Sequence, residues 1–173
     1  MNKKILMVIA QKNFRDEEFF DPKKVFEDMG AKVTVASNSL DTATGILGGR
    51  VKPDICIADA HSEEYDAIVI SGGGGSKTYL WDNEDLRSVV MKAYQQDKVV
   101  AAICISPVVL AKAGILKGKK CTVFKDAECI RILKDNGAIY EDKGVMSSGN
   151  VITSRGPIEA TDFGKVVLKM LGE

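Results

Sequence analysis

The sequence predicts an α/β fold, a three-layer αβα sandwich built on a mostly parallel β-sheet. Three observations lead to this prediction: short apolar runs alternate with helical patterns, 45% of the 173 residues are hydrophobic, and one apolar run passes directly into a helix. Alternating strands and helices form βαβ units, in which helices cover both faces of the sheet. A chain of this length fits one domain, so residues 1–173 are assigned to a single domain.

The predicted strands are apolar runs bounded by turn or polar residues. They cover residues 4–10, 32–36, 67–70, 99–103, 121–123, a short run near 140, and 151–153. A Gly-Gly pair between alternating residues predicts a β-hairpin excursion within residues 44–58. Helical patterns cover residues 17–29, 83–96, 105–113, 127–136 and 158–171.

Composition excludes several classes of function. The 24 Lys and Arg residues balance 24 Asp and Glu residues, so the basic excess that nucleic acid or an anionic membrane requires is missing. The most apolar stretch, residues 99–111, is too short to span a bilayer. Four cysteines without a C-x-x-C pair and a single histidine supply a zinc site poorly, so no metal is expected. We expect a soluble, cytoplasmic protein with free thiols, and neither a nucleic-acid nor a membrane partner.

The most informative segment is the strand 99–103, which runs into Cys104 just before a helix. This strand-to-helix turn is typical of a nucleophile elbow, which holds a side chain out over the sheet edge. Unpaired N–H groups at a helix start stabilise a thiolate, which predicts a fall in the thiol pKa from about 8.5 to roughly 5–7. The alternative is a buried structural cysteine, as we expect for Cys56, Cys121 and Cys129.

Four glycines, residues 72–75, follow the strand 67–70. Glycines permit positive φ and close approach of the backbone, so their N–H groups can converge on an anion. A phosphate-binding P-loop is disfavoured, because Ser76 separates the last glycine from the following lysine. We expect the amides of Gly73 and Ile105 to form the two halves of an oxyanion hole. The alternative is a tight turn without a ligand.

The first helix opens with Asp16, Glu17 and Glu18. Two of these carboxylates are accounted for by the helix dipole. The third is expected to reach the sheet edge beside Cys104, where burial raises a carboxyl pKa and allows its proton to be shared with a thiolate. His61, the single histidine, lies where a strand begins, at the opposite edge from Cys104. We expect it to be an exposed loop residue.

With these segments in place, the chain resembles the ThiJ/PfpI superfamily, which has a deglycase branch and an intracellular protease branch. The resemblance covers nearly the whole length. It rests on Phe14-x-Asp16-x-Glu18 with Pro22, the loop at 68–73, Ala102-Ile103-Cys104-x-x-Pro107, Leu110-x-x-Ala113-Gly114-x-Leu116-x-Gly118, and Thr153-Ser154-Arg155-Gly156-Pro157. It implies a flavodoxin-like fold and a homodimer or higher oligomer.

The resemblance also implies roles for individual residues. Cys104 becomes the nucleophile, Glu18 the carboxylate that hydrogen-bonds to it, and the amides of Gly73 and Ile105 the oxyanion site. Two further residues, Gly72 and Arg155, are assigned to the oxyanion and substrate-binding region. No cofactor and no metal are implied.

Four positions depart from the superfamily pattern. Ile105 and Phe124 stand where the protease and deglycase branches have histidines, Lys77 where the protease branch uses a glutamate of the neighbouring subunit, and Ser106 where glycine is usual. Without an imidazole, general-base activation of the thiol and an acid for an amine leaving group are missing, which disfavours a peptidase or amidase. The apolar replacements predict a more hydrophobic pocket and a raised pKa for Glu18.

The leading hypothesis is a glyoxalase- or deglycase-like enzyme that acts on small reactive carbonyl compounds without a cofactor. Cys104 adds to an aldehyde to give a hemithioacetal, and Glu18 moves the proton between the two carbons. The second hypothesis is a redox sensor or stress-response protein that works through oxidation of Cys104. An intracellular cysteine peptidase is the third.

Overall fold

A computed structural model describes residues 2–172 and arranges their strands in one seven-stranded sheet and two smaller sheets. The strands are β1 (Lys4–Val8), β2 (Lys12–Phe14), β3 (Lys32–Ser37), β4 (Ala43–Gly45), β5 (Arg50–Val51), β6 (Ile55–Cys56), β7 (Ala67–Ile70), β8 (Val99–Ile103), β9 (Lys120–Cys121), β10 (Ile139–Tyr140), β11 (Val145–Ser148) and β12 (Val151–Ser154). The helices are α1 (Asp16–Asp28), α2 (Gly75–Tyr79), α3 (Glu84–Gln95), α4 (Pro107–Lys112), α5 (Ala127–Asp135) and α6 (Ala160–Met170).

The main sheet has the strand order β11-β12-β8-β7-β1-β3-β6. Every neighbouring pair is parallel except β11 and β12. Strands β7 and β8 are buried along their whole length, as is β1 after its first residue, because helices cover both faces of the sheet. The predicted mostly parallel α/β sandwich is therefore confirmed.

The order of the strands determines where a ligand site can form. From β1 the chain proceeds outward to β3 on one side and later to β7 on the other, so β1 and β7 meet at a switch point. In such sheets, ligands bind beyond the carboxyl ends of the strands that flank the switch. The loops after β7 and β8, and the segment leading to α1, all lie at this edge.

The predicted β-hairpin is confirmed, and the structure shows strand pairings around it that the sequence did not predict. Strands β4 and β5 pair antiparallel, with Ala43 opposite Val51, and Gly48-Gly49 lies in the turn. Strand β4 also pairs with β2, a three-residue strand too short to show a hydrophobic period. Cys56, which the sequence placed in the hairpin, lies instead in β6 at the edge of the main sheet, paired with the end of β3.

Asp16 ties the hairpin to α1. Its carboxylate is buried and accepts hydrogen bonds from the Leu47 amide at 2.8 Å and the Gly49 amide at 2.7 Å. A Cβ on Gly45 would lie 2.5 Å from the Asp16 carboxylate, so the close approach requires glycine there. Asp16 therefore does more than complement the helix dipole, because its carboxylate also holds a loop about 30 residues later in the chain.

Among residues 2–172, no helix has both the length and the apolar composition needed to cross a membrane.

We predict that Asp16→Ala lowers the free energy of unfolding by about 3 kcal/mol, because two amides of the hairpin loop lose a charged acceptor. Urea unfolding monitored by circular dichroism measures the change. Asp28→Ala at the exposed end of the same helix is the matched control, and its surface ion pair with Lys24 predicts a change within about 0.5 kcal/mol. Equal losses for the two variants would contradict the role given to Asp16.

Candidate active site

The turn between β8 and α4 holds Cys104 in a left-handed conformation, with φ of 63°. A non-glycine residue in this region costs about 1–3 kcal/mol and persists only where neighbouring contacts impose it. The Cys104 N–H donates to the Ser154 carbonyl at 2.9 Å, and its carbonyl accepts from the Phe124 N–H at 2.7 Å. The strand-to-helix elbow that the sequence predicted is therefore present, with backbone hydrogen bonds to the end of β12 and to the loop after β9.

The Glu18 carboxyl lies against this elbow. Its side chain is fully buried, its Oε2 accepts from the Gly72 N–H at 2.9 Å, and the Cys104 thiol hydrogen-bonds to the same carboxyl group. Its Oε1 is also buried and receives no N–H or O–H donor from residues 2–172. Burial raises the pKa of Glu18 to about 7, against the smaller opposing effects of these hydrogen bonds.

The glycine loop closes the other side of the site. A Cβ on Gly72 would lie 2.5 Å from the Cys104 Cβ, and one on Gly73 would lie 2.5 Å from the Asn13 carbonyl oxygen. Gly73 also has φ of 101°, which favours glycine. The loop can therefore approach closely, and the amides of Gly73 and Ile105 both hydrogen-bond to the Cys104 sulfur.

The expected low pKa of the Cys104 thiol is wrong. Burial raises this pKa, and a negative charge on Glu18 raises it further, whereas the amides of Gly73 and Ile105 only partly offset these effects. Burial and the neighbouring carboxylate outweigh the partial positive charge at the helix start. As the pH rises past about 7, the pair loses one proton, and the remaining proton lies between the carboxyl and the sulfur.

The other predicted residues lie farther out. Arg155 follows Ser154 and lines a groove with Phe124 and Ile158, and its guanidinium forms ion pairs with Asp142 at 3.2 Å and Glu159 at 2.6 Å. The Lys77 ammonium pairs with Glu128 at 2.5 Å. His61 is an exposed residue ahead of β7, as predicted. The structure thus groups Cys104 with Glu18, Gly72, Gly73 and Ile105, and leaves the Arg155 guanidinium bound to two carboxylates.

Two grooves of about 220 Å³ each adjoin the elbow and share the Phe124 ring. One includes Trp81 and Ile105, and the other includes Pro157 and Ile158. Phe124 is 44% exposed and Ile158 is 93% exposed. Charged side chains such as Lys77 and Arg155 also line these grooves, and Cys104 and Glu18 line neither of them, so the hydrophobic pocket that the sequence predicted is found only in part. The raised pKa of Glu18 comes from its own complete burial.

Sequence reasoning missed two side chains that hold the elbow. The Trp81 indole N–H donates to the Ile105 carbonyl at 3.0 Å, and the buried Ser106 hydroxyl donates to the Ser71 carbonyl at 2.6 Å. The only signals in the sequence were that Trp81 is the single tryptophan and that Ser106 replaces a usual glycine. Within residues 2–172, no three His, Cys, Asp or Glu side chains are grouped to hold a metal ion.

Comparison with known proteins adds a family to this geometry. The sequence pattern of the DJ-1/PfpI family matches residues 3–170. An uncharacterized protein of Methanocaldococcus jannaschii is 54% identical over 98% of this chain and 83% of its own length. A ThiJ/PfpI domain protein from Brachyspira murdochii superposes with a TM-score of 0.94 at 33% identity, covering 99% of this chain and 97% of that one. Drosophila melanogaster DJ-1beta gives a TM-score of 0.87 at 32% identity, covering 100% and 92%.

We predict that Glu18→Gln changes how stability depends on pH. The wild-type carboxyl has an ordinary pKa of 4.5 unfolded and about 7 folded, so its stabilising effect is complete below pH 4.5 and is lost as the pH rises to 7. The loss amounts to about 3 kcal/mol, and the glutamine variant avoids it. Urea unfolding measures the free energy of unfolding of the variant and of the wild type. The value for the variant minus that for the wild type should be larger at pH 8 than at pH 4.5 by about 3 kcal/mol. Glu17→Gln, at a partly exposed ion pair, is the control, and an equal increase there would contradict the assignment.

Proposed function

The chain belongs to the DJ-1/PfpI family, and from this premise we propose that it is an enzyme in which Cys104 attacks small reactive carbonyl compounds, as in glyoxalase or deglycase chemistry. Its membership confirms the resemblance that the sequence indicated. The observation that supports this activity is the contact of one thiol with one buried carboxyl and two backbone amides. These groups suffice for carbonyl addition and proton transfer, so the proposed reaction uses no cofactor.

The first proposed step is addition to an aldehyde such as that of methylglyoxal. The Cys104 sulfur forms a bond to the aldehyde carbon, the electron pair of the C=O bond moves to oxygen, and the thiol proton passes through the Glu18 carboxylate to that oxygen. The amides of Gly73 and Ile105, already directed at the sulfur, lie where they can donate to that oxygen. The product of this step is a hemithioacetal on Cys104.

Glu18 then acts as the base and acid. Its carboxylate takes the proton from the former aldehyde carbon and returns it to the neighbouring ketone carbon, while the hydroxyl proton of the hemithioacetal passes to the ketone oxygen. The hemithioacetal thereby becomes the thioester of lactate. Water hydrolyses the thioester, so that methylglyoxal and water give lactate without net oxidation. A carboxyl with a pKa of about 7 is well matched to this role at neutral pH.

A peptidase is a weaker candidate for the same thiol. Peptide hydrolysis requires an acid that protonates the leaving amine, a role that usually falls to histidine. The single histidine of this chain, His61, is exposed and precedes β7, whereas Cys104 follows the carboxyl end of β8.

Oxidation of Cys104 is the second candidate function. The thiol is 8% exposed and hydrogen-bonds to a carboxyl that remains largely protonated below pH 7. Two equivalents of peroxide would each transfer one oxygen to the sulfur and release one water, giving a sulfinic acid. This chemistry needs neither a histidine nor an organic substrate.

For the assembly, we propose a homodimer. Phe20 on α1 and two residues of the hairpin, Ile46 and Leu47, are large apolar side chains that are 40–62% exposed. Asp16 holds this hairpin against α1, so the three lie on one face.

For the cellular location, we propose the cytoplasm. The four cysteines are free, which fits a reducing compartment such as the cytoplasm.

We predict that the protein forms lactate from methylglyoxal without glutathione, and that Cys104→Ser and Glu18→Gln each lower kcat/KM at least about 100-fold because each removes a reacting group. Wild-type kcat/KM should rise with pH to a plateau, half-maximal near pH 7, as Glu18 ionises. Cys121→Ser, at a buried cysteine in β9, is the control and should retain activity. Absence of turnover combined with oxidation of Cys104 by dilute peroxide would instead favour the second function.

The apolar groove beside the elbow predicts a preference among carbonyl compounds. We expect a higher kcat/KM for phenylglyoxal than for methylglyoxal, because Phe124 and Ile158 offer apolar surface to the ring. Ile158→Ser should reduce that preference about threefold to tenfold. Ile139→Ser, at an exposed position in β10, is the control. An unchanged preference in the Ile158 variant would show that the groove does not contact the substrate.

A further inference from the structure

Three serines form a buried hydrogen-bond chain under the site. The Ser106 hydroxyl donates to the Ser71 carbonyl at 2.6 Å, and the hydroxyls of Ser76 and Ser106 lie 2.8 Å apart. Because a carbonyl has no proton to give, the Ser106 proton is committed to Ser71, and Ser76 donates to Ser106. All three residues are fully buried.

This serine chain joins the two segments that supply the oxyanion site. Ser71 and Ser76 lie on either side of the four glycines, whereas Ser106 immediately follows Ile105. One of the two amides at the Cys104 sulfur comes from the glycine loop, at Gly73, and the other comes from the elbow, at Ile105. The serine chain therefore bridges the two halves of the site.

The glycine loop needs such a connection. Glycine has the widest conformational freedom of any residue, so the position of the loop depends on contacts with other segments, among them the Arg15 N–H, which donates to the Gly72 carbonyl at 2.9 Å. The elbow is better fixed, since the Trp81 indole holds the Ile105 carbonyl at 3.0 Å and two backbone hydrogen bonds hold Cys104. The hydrogen bonds of Ser106 with Ser71 and Ser76 connect the fixed elbow to the glycine loop.

We propose that Ser106 is a positioning residue, which through Ser71 and Ser76 sets the separation of the Gly73 and Ile105 amides and thereby the reactivity of Cys104. Its effect on turnover rests on the proposed function, whereas its effect on the thiol does not. Removal of one oxyanion donor lowers kcat about 100- to 1000-fold in other enzymes, so a loosened donor should have a smaller effect.

The test is alkylation of Cys104 by iodoacetamide across pH 5–10, followed at this residue by mass spectrometry. Ser106→Ala should slow alkylation at pH 7 about threefold to tenfold and move the midpoint of the pH profile upward, because the thiolate loses well-placed donors. Ser76→Ala, which leaves the Ser106–Ser71 bond intact, should change the profile in the same direction by less. Where methylglyoxal turnover is measurable, kcat should fall while KM changes little.

Ser37→Ala is the matched control. Ser37 is an equally buried serine, and its hydroxyl donates to the Ile9 carbonyl at 2.8 Å. Its removal should cost similar stability and leave the alkylation profile unchanged. An unshifted profile in both Ser106→Ala and Ser76→Ala, or an equal shift in Ser37→Ala, would overturn the proposal. Lack of turnover by the wild type would count against the proposed enzyme only, because the alkylation profile still decides the role of Ser106.

Discussion

The contact between the buried Glu18 carboxyl and the Cys104 thiol constrains most of the structure around it. Two groups that can each carry a negative charge lie together at the carboxyl ends of the central strands, so only one charge is tolerated there at neutral pH. Gly72 must be glycine because a Cβ would collide with both groups. Cys104 has a left-handed backbone, with its thiol beside the carboxyl and the two amides.

In the proposed reaction, this pairing takes the place of a histidine partner for the thiol. An imidazole normally accepts the thiol proton and remains as a cation beside the thiolate. Here the Glu18 carboxylate can accept the thiol proton instead, and the amides of Gly73 and Ile105 supply the partial positive charge. The arrangement suits reactions in which a single proton moves between neighbouring atoms. It is less suited to peptide hydrolysis, in which an amine must leave with a proton.

Sequence reasoning located the elbow and the glycine loop because both depend on local patterns, a buried strand that ends at Cys104 and four consecutive glycines. It identified Glu18 through the family resemblance, and the complete burial of this residue explains the raised pKa. The thiol pKa was predicted in the wrong direction, since burial by distant segments leaves no local signal. Sequence reasoning also missed the hydrogen bonds of Asp16 to the hairpin and those of Ser106. Each of these joins segments about 30 residues apart, so neither leaves a local signal.

The central claim is that one proton is shared by Glu18 and Cys104 near neutral pH. The most direct measurement is an NMR titration of the ¹³C-labelled Glu18 side-chain carboxyl in the wild type and in Cys104→Ser. The account predicts a midpoint near pH 7 in the wild type, shifted in the variant because the thiol that hydrogen-bonds to the carboxyl is replaced. A midpoint near the ordinary value of 4.5, unaffected by the substitution, would contradict it.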